Sequence, residues 1–196
     1  MAINPQNLVQ GPANVWFGVF GTTEPADTNA ALIANPGAGW TDVGGIMDGT
    51  SVLFEDDLTY TGQGVDQLVM EVGARLTKKQ VLLTAALAEA TLANMQMALN
   101  NLATITTPGS GIQTLDPIVT SAATQPTYTA LIIDGWAPTL STGAAARRRI
   151  ILRKALTSTK LSLEYEKAKM AGYNCQWTGY YVSSSIAPYH IQDQTA

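Results

Sequence analysis

Apolar and polar positions alternate with a period of two in successive segments of the chain, the pattern of strands with one buried face. Residues 14–20 (NVWFGVF), closed by Gly21, predict a first strand. Over residues 50–61 (TSVLFEDDLTYT), Val52, Phe54, Leu58 and Tyr60 share one face, and Ser51, Leu53, Glu55, Asp57, Thr59 and Thr61 share the other. Asp56 alone interrupts the apolar face. Beyond a loop at Gly62 and Gly64, alternation resumes over 66–76 through Leu68, Met70, Val72, Ala74 and Leu76, and again over 79–88 through Val81, Leu83, Ala85 and Leu87. Three such segments in succession predict an antiparallel meander.

Only residues 91–102 change period: Leu92, Met95, Leu99 and Leu102 form one helical stripe, with Thr91 as N-cap. Residues 22–39 read as a loop with a helical turn near 30–33, and Gly44-Gly45 marks a bend. After the helix, 108–127 read as a long irregular connection, and strands are predicted over 128–136, 147–156, 160–167 and 174–182. A hairpin turn near Ser158 would set Arg153 opposite Glu164 and Ile151 opposite Glu166. The two ends lack any such pattern. Residues 1–13, with Pro5 and Pro12, predict an N-terminal arm, and the Ser-rich, then polar 183–196 a C-terminal one. Ile3, Leu8, Val9, Tyr189 and Ile191 are the arm residues expected to contact neighbouring subunits. The order of strands, one helix and more strands predicts an all-β sandwich or barrel with one packed helix, as a single domain over residues 1–196.

Composition adds a reason to expect partners. Hydrophobic residues make up 46%, enough for a core, but charged residues only 13%, against ~25% in ordinary soluble domains. About two dozen threonines supply an uncharged polar surface instead. A surface so poor in charge suits a subunit buried against copies of itself. The charge is also lopsided: residues 1–74 hold nine acids and no Lys or Arg, and the remainder eleven bases and six acids, or −9 against +5. Scattered over a monomer this is harmless; gathered on opposite surfaces it favours head-to-tail stacking. Glu89, Asn94 and Gln96 interrupt the most apolar stretch, 81–102, so no membrane span is expected. The first residues do not read as a signal peptide, and synthesis in a cytoplasm is expected.

Candidate chemistry is sparse. One cysteine, Cys175, and one histidine, His190, cannot make a standard zinc site, and His190 lies in the predicted C-terminal arm. Phosphate-loop, nucleophile-elbow and zinc-protease motifs are missing, and Gly62-Gln63-Gly64 lacks the rest of a dinucleotide fingerprint. No catalytic, metal or cofactor residue is therefore assigned, and the chain is expected not to be an enzyme. Glu55, Asp56 and Asp57 form the one acidic cluster, but neighbours on a strand point to opposite faces, so a solvated or channel-facing rim is favoured over a metal or catalytic site. A small hydrolase using Glu55 and Asp57 is the enzymatic alternative. Arg147-Arg148-Arg149 with Arg153 and Lys154 form the one basic run; with no interleaved aromatic residue in an acidic chain, cross-strand pairing is favoured over nucleic-acid binding.

The turn carrying Trp40, Asp42 and Gly44, the acid-rich strand pair after it, LLTAALAEATLANMQMALN entering the helix, and the order YTALIIDGWAP, RRRIILRKA, LSLEYEKAKMAGYNCQWTGYY together resemble the major tail tube proteins of long-tailed bacteriophages over residues 14–190. The resemblance implies hexameric rings stacked into a tube around a tape-measure protein, capped by tail-terminator and tail-tip proteins, and crossed by DNA in transit. It implies a place in the virion tail, without cofactor or membrane. Another virion component of the same fold, at neck or baseplate, is the alternative within that resemblance. Glu55, Asp57, Thr59 and Thr61 are then expected to face the lumen; the competing expectation puts them outside and lines the lumen with 66–76 or 147–156.

Overall fold

The computed structural model describes residues 7–66, 69–120, 126–140, 142–167 and 171–195, and the statements that follow concern those residues. Its elements are β1 (Asn14–Val19), α1 (Asn29–Ile33), β2 (Thr41–Asp42), β3 (Leu53–Gln63), β4 (Gly73–Leu87), α2 (Leu92–Ala98), β5 (Ala103–Gly109), β6 (Ile112–Pro117), β7 (Thr129–Ala137), β8 (Ala146–Thr157), β9 (Tyr173–Gly179) and β10 (Tyr189–Asp193). The fold is all-β in class. One antiparallel sheet runs β2-β1-β7-β8-β9-β4-β3 with β10 added on β8, and β5 and β6 form a separate hairpin.

Side chains from β1, β4, β7, β8 and β9 converge on one core that includes Val15, Leu83, Leu131, Leu152 and Trp177, with Met97 and Ala98 of α2 packed into it. The chain leaving β2 crosses to the far side of the sheet, where Met47 N donates to Ala86 O (2.9 Å) and Ala88 N to Gly45 O (2.8 Å), so the β1 and β4 edges are linked. The opposite face of β7 and β8 is covered as well: Ala130, Ile132 and Ile151 pack under Trp40. Burial on both faces is why TALIIDGWA and ARRRIILRKALT lack clean alternation.

The structure departs from the sequence expectations in five places. The strands expected over 66–76 and 79–88 are one strand, β4. Leu76 and Val81 have opposite parity, which in sequence reads as a break. A bulge between Thr59 and Tyr60 leaves Thr77 unpaired in β4, and Leu76 and Lys79 thereby reach the same face. The meander is therefore a single long hairpin; Leu68 lies outside the described residues. Second, part of the expected irregular connection is the β5–β6 hairpin, turning at Ser110-Gly111 with Gly111 at φ 80°. Third, residues 160–167 form no strand: β9 is paired on both edges, by β4 and by β8, so the alternating Leu161 and Leu163 pack on the core without a ladder. The pairings Arg153–Glu164 and Ile151–Glu166 accordingly do not occur across a hairpin; Arg153 binds Glu24, and Ile151 lies opposite His190 and Ile132.

Fourth, residues 189–193 of the expected C-terminal arm are strand β10, because β8 is long enough to offer β10 the edge that β9 leaves free. Fifth, α2 ends at Ala98, earlier than the apolar stripe. Asn100 and Asn101 both take φ 56°, a left-handed conformation that stops the helix. Asn100 then clamps the end of β8, donating to Thr157 O (3.1 Å) and accepting from Thr157 N (2.6 Å).

Candidate assembly surface

β4 is paired with β9 only from Val81 onward, whereas its pairing with β3 continues back to Gly73. The outer half of the β3–β4 hairpin is therefore a two-stranded ribbon extending past the sheet. Residues Asp57–Gln63 and Gly73–Lys79 are exposed throughout. The ribbon's inner face continues the core face of the sheet. Phe54, opposite Leu83, packs on the core, but Leu58 (42% exposed), Tyr60 (58%) and Leu76 (45%) on the same face are left about half exposed. Sequence alternation identified this apolar face correctly and assigned all of it to the core; tertiary structure leaves half of it bare.

The polar face of β3 carries Glu55, Asp57, Thr59 and Thr61, all exposed. β4 places Lys78 opposite Thr59 and Arg75 opposite Thr61, on that same face. The acidic wall expected from β3 alone is thus a balanced one, two acids against two bases. Thr77, the bulged residue, is held here too, its hydroxyl donating to Thr59 O (3.2 Å) and lying 3.1 Å from Thr61 Oγ1.

Asp56, the interruption in the apolar face, sits where the ribbon leaves the body. Lys79 Nζ lies 2.9 Å from Asp56 Oδ2, and the Tyr189 hydroxyl donates to the same oxygen at 2.6 Å. Lys79 also approaches the Tyr189 ring (5.3 Å), and Phe54 meets that ring edge-on (5.1 Å). Burial works against the Asp56 carboxylate, and the Tyr189 hydroxyl and Lys79 ammonium outweigh it, holding its pKa below the ordinary value. Asp56 raises the pKa of both its partners.

Of the arm residues, Ile3 lies outside the described residues, and Leu8 and Val9 are exposed. Tyr189 is partly buried on the core, and Ile191, in β10 opposite Ile150, is exposed. The charge asymmetry is partly neutralised within the chain, since Lys79–Asp56 and Arg153–Glu24 each join the basic part to the acidic one. The basic run is engaged as well. Arg147 stacks on Trp136 (4.2 Å), Arg148 forms a bidentate pair with Asp193 (2.6 Å for both contacts), and fully buried Arg149 binds Asp134 and the carbonyls of Ala31, Leu32 and Ala34. Sequence reading missed these partners, because they lie 11 to 118 residues away.

Cys175 is buried, which pushes its thiol pKa up to about 12. His190 Nε2 lies 3.1 Å from Asp27, to which Gln192 also donates. Among the described residues no group of three or more His, Cys, Asp or Glu could hold a metal ion, and no helix is long and apolar enough to cross a membrane.

The chain matches no protein-family model and no curated protein. Among solved structures it is similar to one described as the crystal structure of Hcp protein, at 14% identity and a TM-score of 0.38, covering 94% of this chain and 100% of that one.

Proposed function

We propose that the chain is a structural subunit that assembles with copies of itself into stacked hexameric rings, forming the tail tube of a long-tailed bacteriophage. The observation that carries this reading is the bare apolar face of the β3–β4 ribbon. An isolated two-stranded ribbon is at best marginally stable in water, and fully covering a side chain of the size of Leu58 or Leu76 is worth about 1.5–3 kcal/mol. Among the described strands none pairs with either edge of the ribbon, and a strand from a neighbouring copy would satisfy them. The scarcity of charge and the exposure of residues 7–12 fit the same reading.

In such a tube the face with Glu55, Asp57, Thr59 and Thr61 lines the lumen, together with Arg75 and Lys78. A balanced, hydroxyl-rich wall gives DNA few phosphate contacts, whereas a basic wall would hold it through many. The tape-measure protein inside the tube, the terminator and tip proteins at its ends, the virion location and the absence of enzymatic activity belong to this proposal. Negative-stain electron microscopy of the concentrated protein tests it: rods with a central channel are expected. Monodisperse monomers over the whole accessible concentration range would overturn it.

A further inference from the structure

An apolar groove of about 380 Å³ opens on the face of the sheet opposite the main core, where β1 ends and β7 begins. Phe20, Trp40, Ala130, Ile151, Val182 and Ile186 line it. Its charged members are already paired: Arg153 donates to both Glu24 oxygens (2.6 and 3.0 Å) and to Ala187 O (2.8 Å). An occupant therefore meets apolar walls and no free charge. Phe20 (41% exposed) and Ile186 (46% exposed) stand open at the rim, and the Lys154 ammonium, held over the Tyr128 ring (4.4 Å), lies 5.4 Å from the Phe20 ring outside the lining.

The matching segment is the N-terminal one. Residues 1–13 carry no charged side chain, and Leu8 (69% exposed) and Val9 (46% exposed) are largely open to solvent. Its point of departure is fixed. Gly11 lies against the Trp136 indole so closely that a Cβ would overlap the ring, and Trp136 is near the end of β7 remote from the groove. From Trp136 to Ala130 is about 20 Å of strand, whereas the three residues from Gly11 to Leu8 span at most ~10 Å. Leu8 and Val9 therefore cannot reach the groove of their own chain.

We propose that the groove seats the N-terminal segment of a second copy, with Leu8 and Val9 against Phe20, Val182 and Ile186, so that copies join head to tail along β1. The segment and the groove are different surfaces at opposite ends of one strand pair, so each copy gives at one end and receives at the other. This inference rests on the self-assembly reading and adds a named contact to it.

Oxidative crosslinking of the full chain tests it. The protein with Leu8→Cys and Ile186→Cys, concentrated and mildly oxidised, is expected to give a reducible ladder of dimers and larger species, with neither single variant giving one. Cys175 is buried and contributes no background. A second pair, Val9→Cys with Phe20→Cys, covers misfolding of the first. Rods without a ladder from either pair overturn the groove contact and leave the tube reading standing. An intrachain crosslink, seen as a faster-running monomer, overturns it too. A ladder without rods supports the contact and sinks the tube, and the absence of both removes the two together. Val182→Asp with Ile186→Asp, in a chain with unchanged circular dichroism, is expected to raise the concentration needed for assembly at least ~10-fold.

Discussion

The Tyr189 hydroxyl donates to Asp56 across 2.6 Å and 133 residues of sequence, fastening the C-terminal strand to the root of the β3–β4 ribbon. Lys79 completes the junction from the opposite strand of the ribbon. The root of the ribbon is thus tied to the body by a three-residue contact, and the C-terminal strand is a part of the body.

Breaking that contact should weaken the fold modestly. A hydrogen bond to a charged group is worth about 1.5–3 kcal/mol, and partial exposure lowers this, so Tyr189→Phe is expected to cost ~1–2 kcal/mol in urea unfolding. Removing residues 188–196 takes away the packed ring and the whole β10 ladder, and should cost more than ~3 kcal/mol. A truncated chain as stable as the full one would show that β10 is an arm after all.

The same junction sets an acid limit. Asp56 has a pKa below its unfolded value, so its contribution is fully present above the unfolded value of ~3.9 and is lost as pH falls through the lower folded value. Stability of the wild type should drop below about pH 4, and Asp56→Asn should flatten that part of the profile. Equal acid sensitivity of the two proteins would exclude Asp56 as the source.

Charging the bare ribbon face should separate folding from assembly. Leu58→Lys with Leu76→Lys changes side chains that are already nearly half exposed, so the unfolding midpoint should move little, while sedimentation shows monomers only. Rods formed by this variant would remove the observation on which the proposed function rests.

Lysines on the other ribbon face should act on transit. With Arg75 and Lys78 already there, Glu55→Lys and Asp57→Lys turn a balanced wall into one with four positive charges per subunit. Tube formation should persist, and DNA ejection from assembled particles should slow in a salt-dependent way. A tube structure with both residues on the outer surface would refute the lumen assignment.

Arg149 should be the most costly position outside the apolar core. It is fully buried and bonded to Asp134 and three carbonyls at the end of α1, so Arg149→Met leaves a carboxylate and those carbonyls without their donor. A loss of about 3–5 kcal/mol is expected by chemical denaturation. Arg149→Lys should recover only part, since an ammonium cannot reproduce the guanidinium fork.

Period-two alternation, read residue by residue, determined the class of this protein: β1, β3 and β9 and the apolar faces of β3 and β4 follow from it, β7 and β8 read as apolar runs without it, and the Thr91 cap of α2 follows from the change to a helical period. Local pattern encodes which side of a strand is apolar, because successive side chains alternate. It does not encode which edges are available, because pairing joins residues far apart. Only tertiary structure decided that β10 takes an edge of β8 while the equally alternating 160–167 forms no strand, that a bulge at Thr77 fuses two apparent strands, and that Asp56 meets Tyr189. It alone decided that the apolar face of β3 ends in solvent, since whether a face is covered depends on what the rest of the chain has left over it.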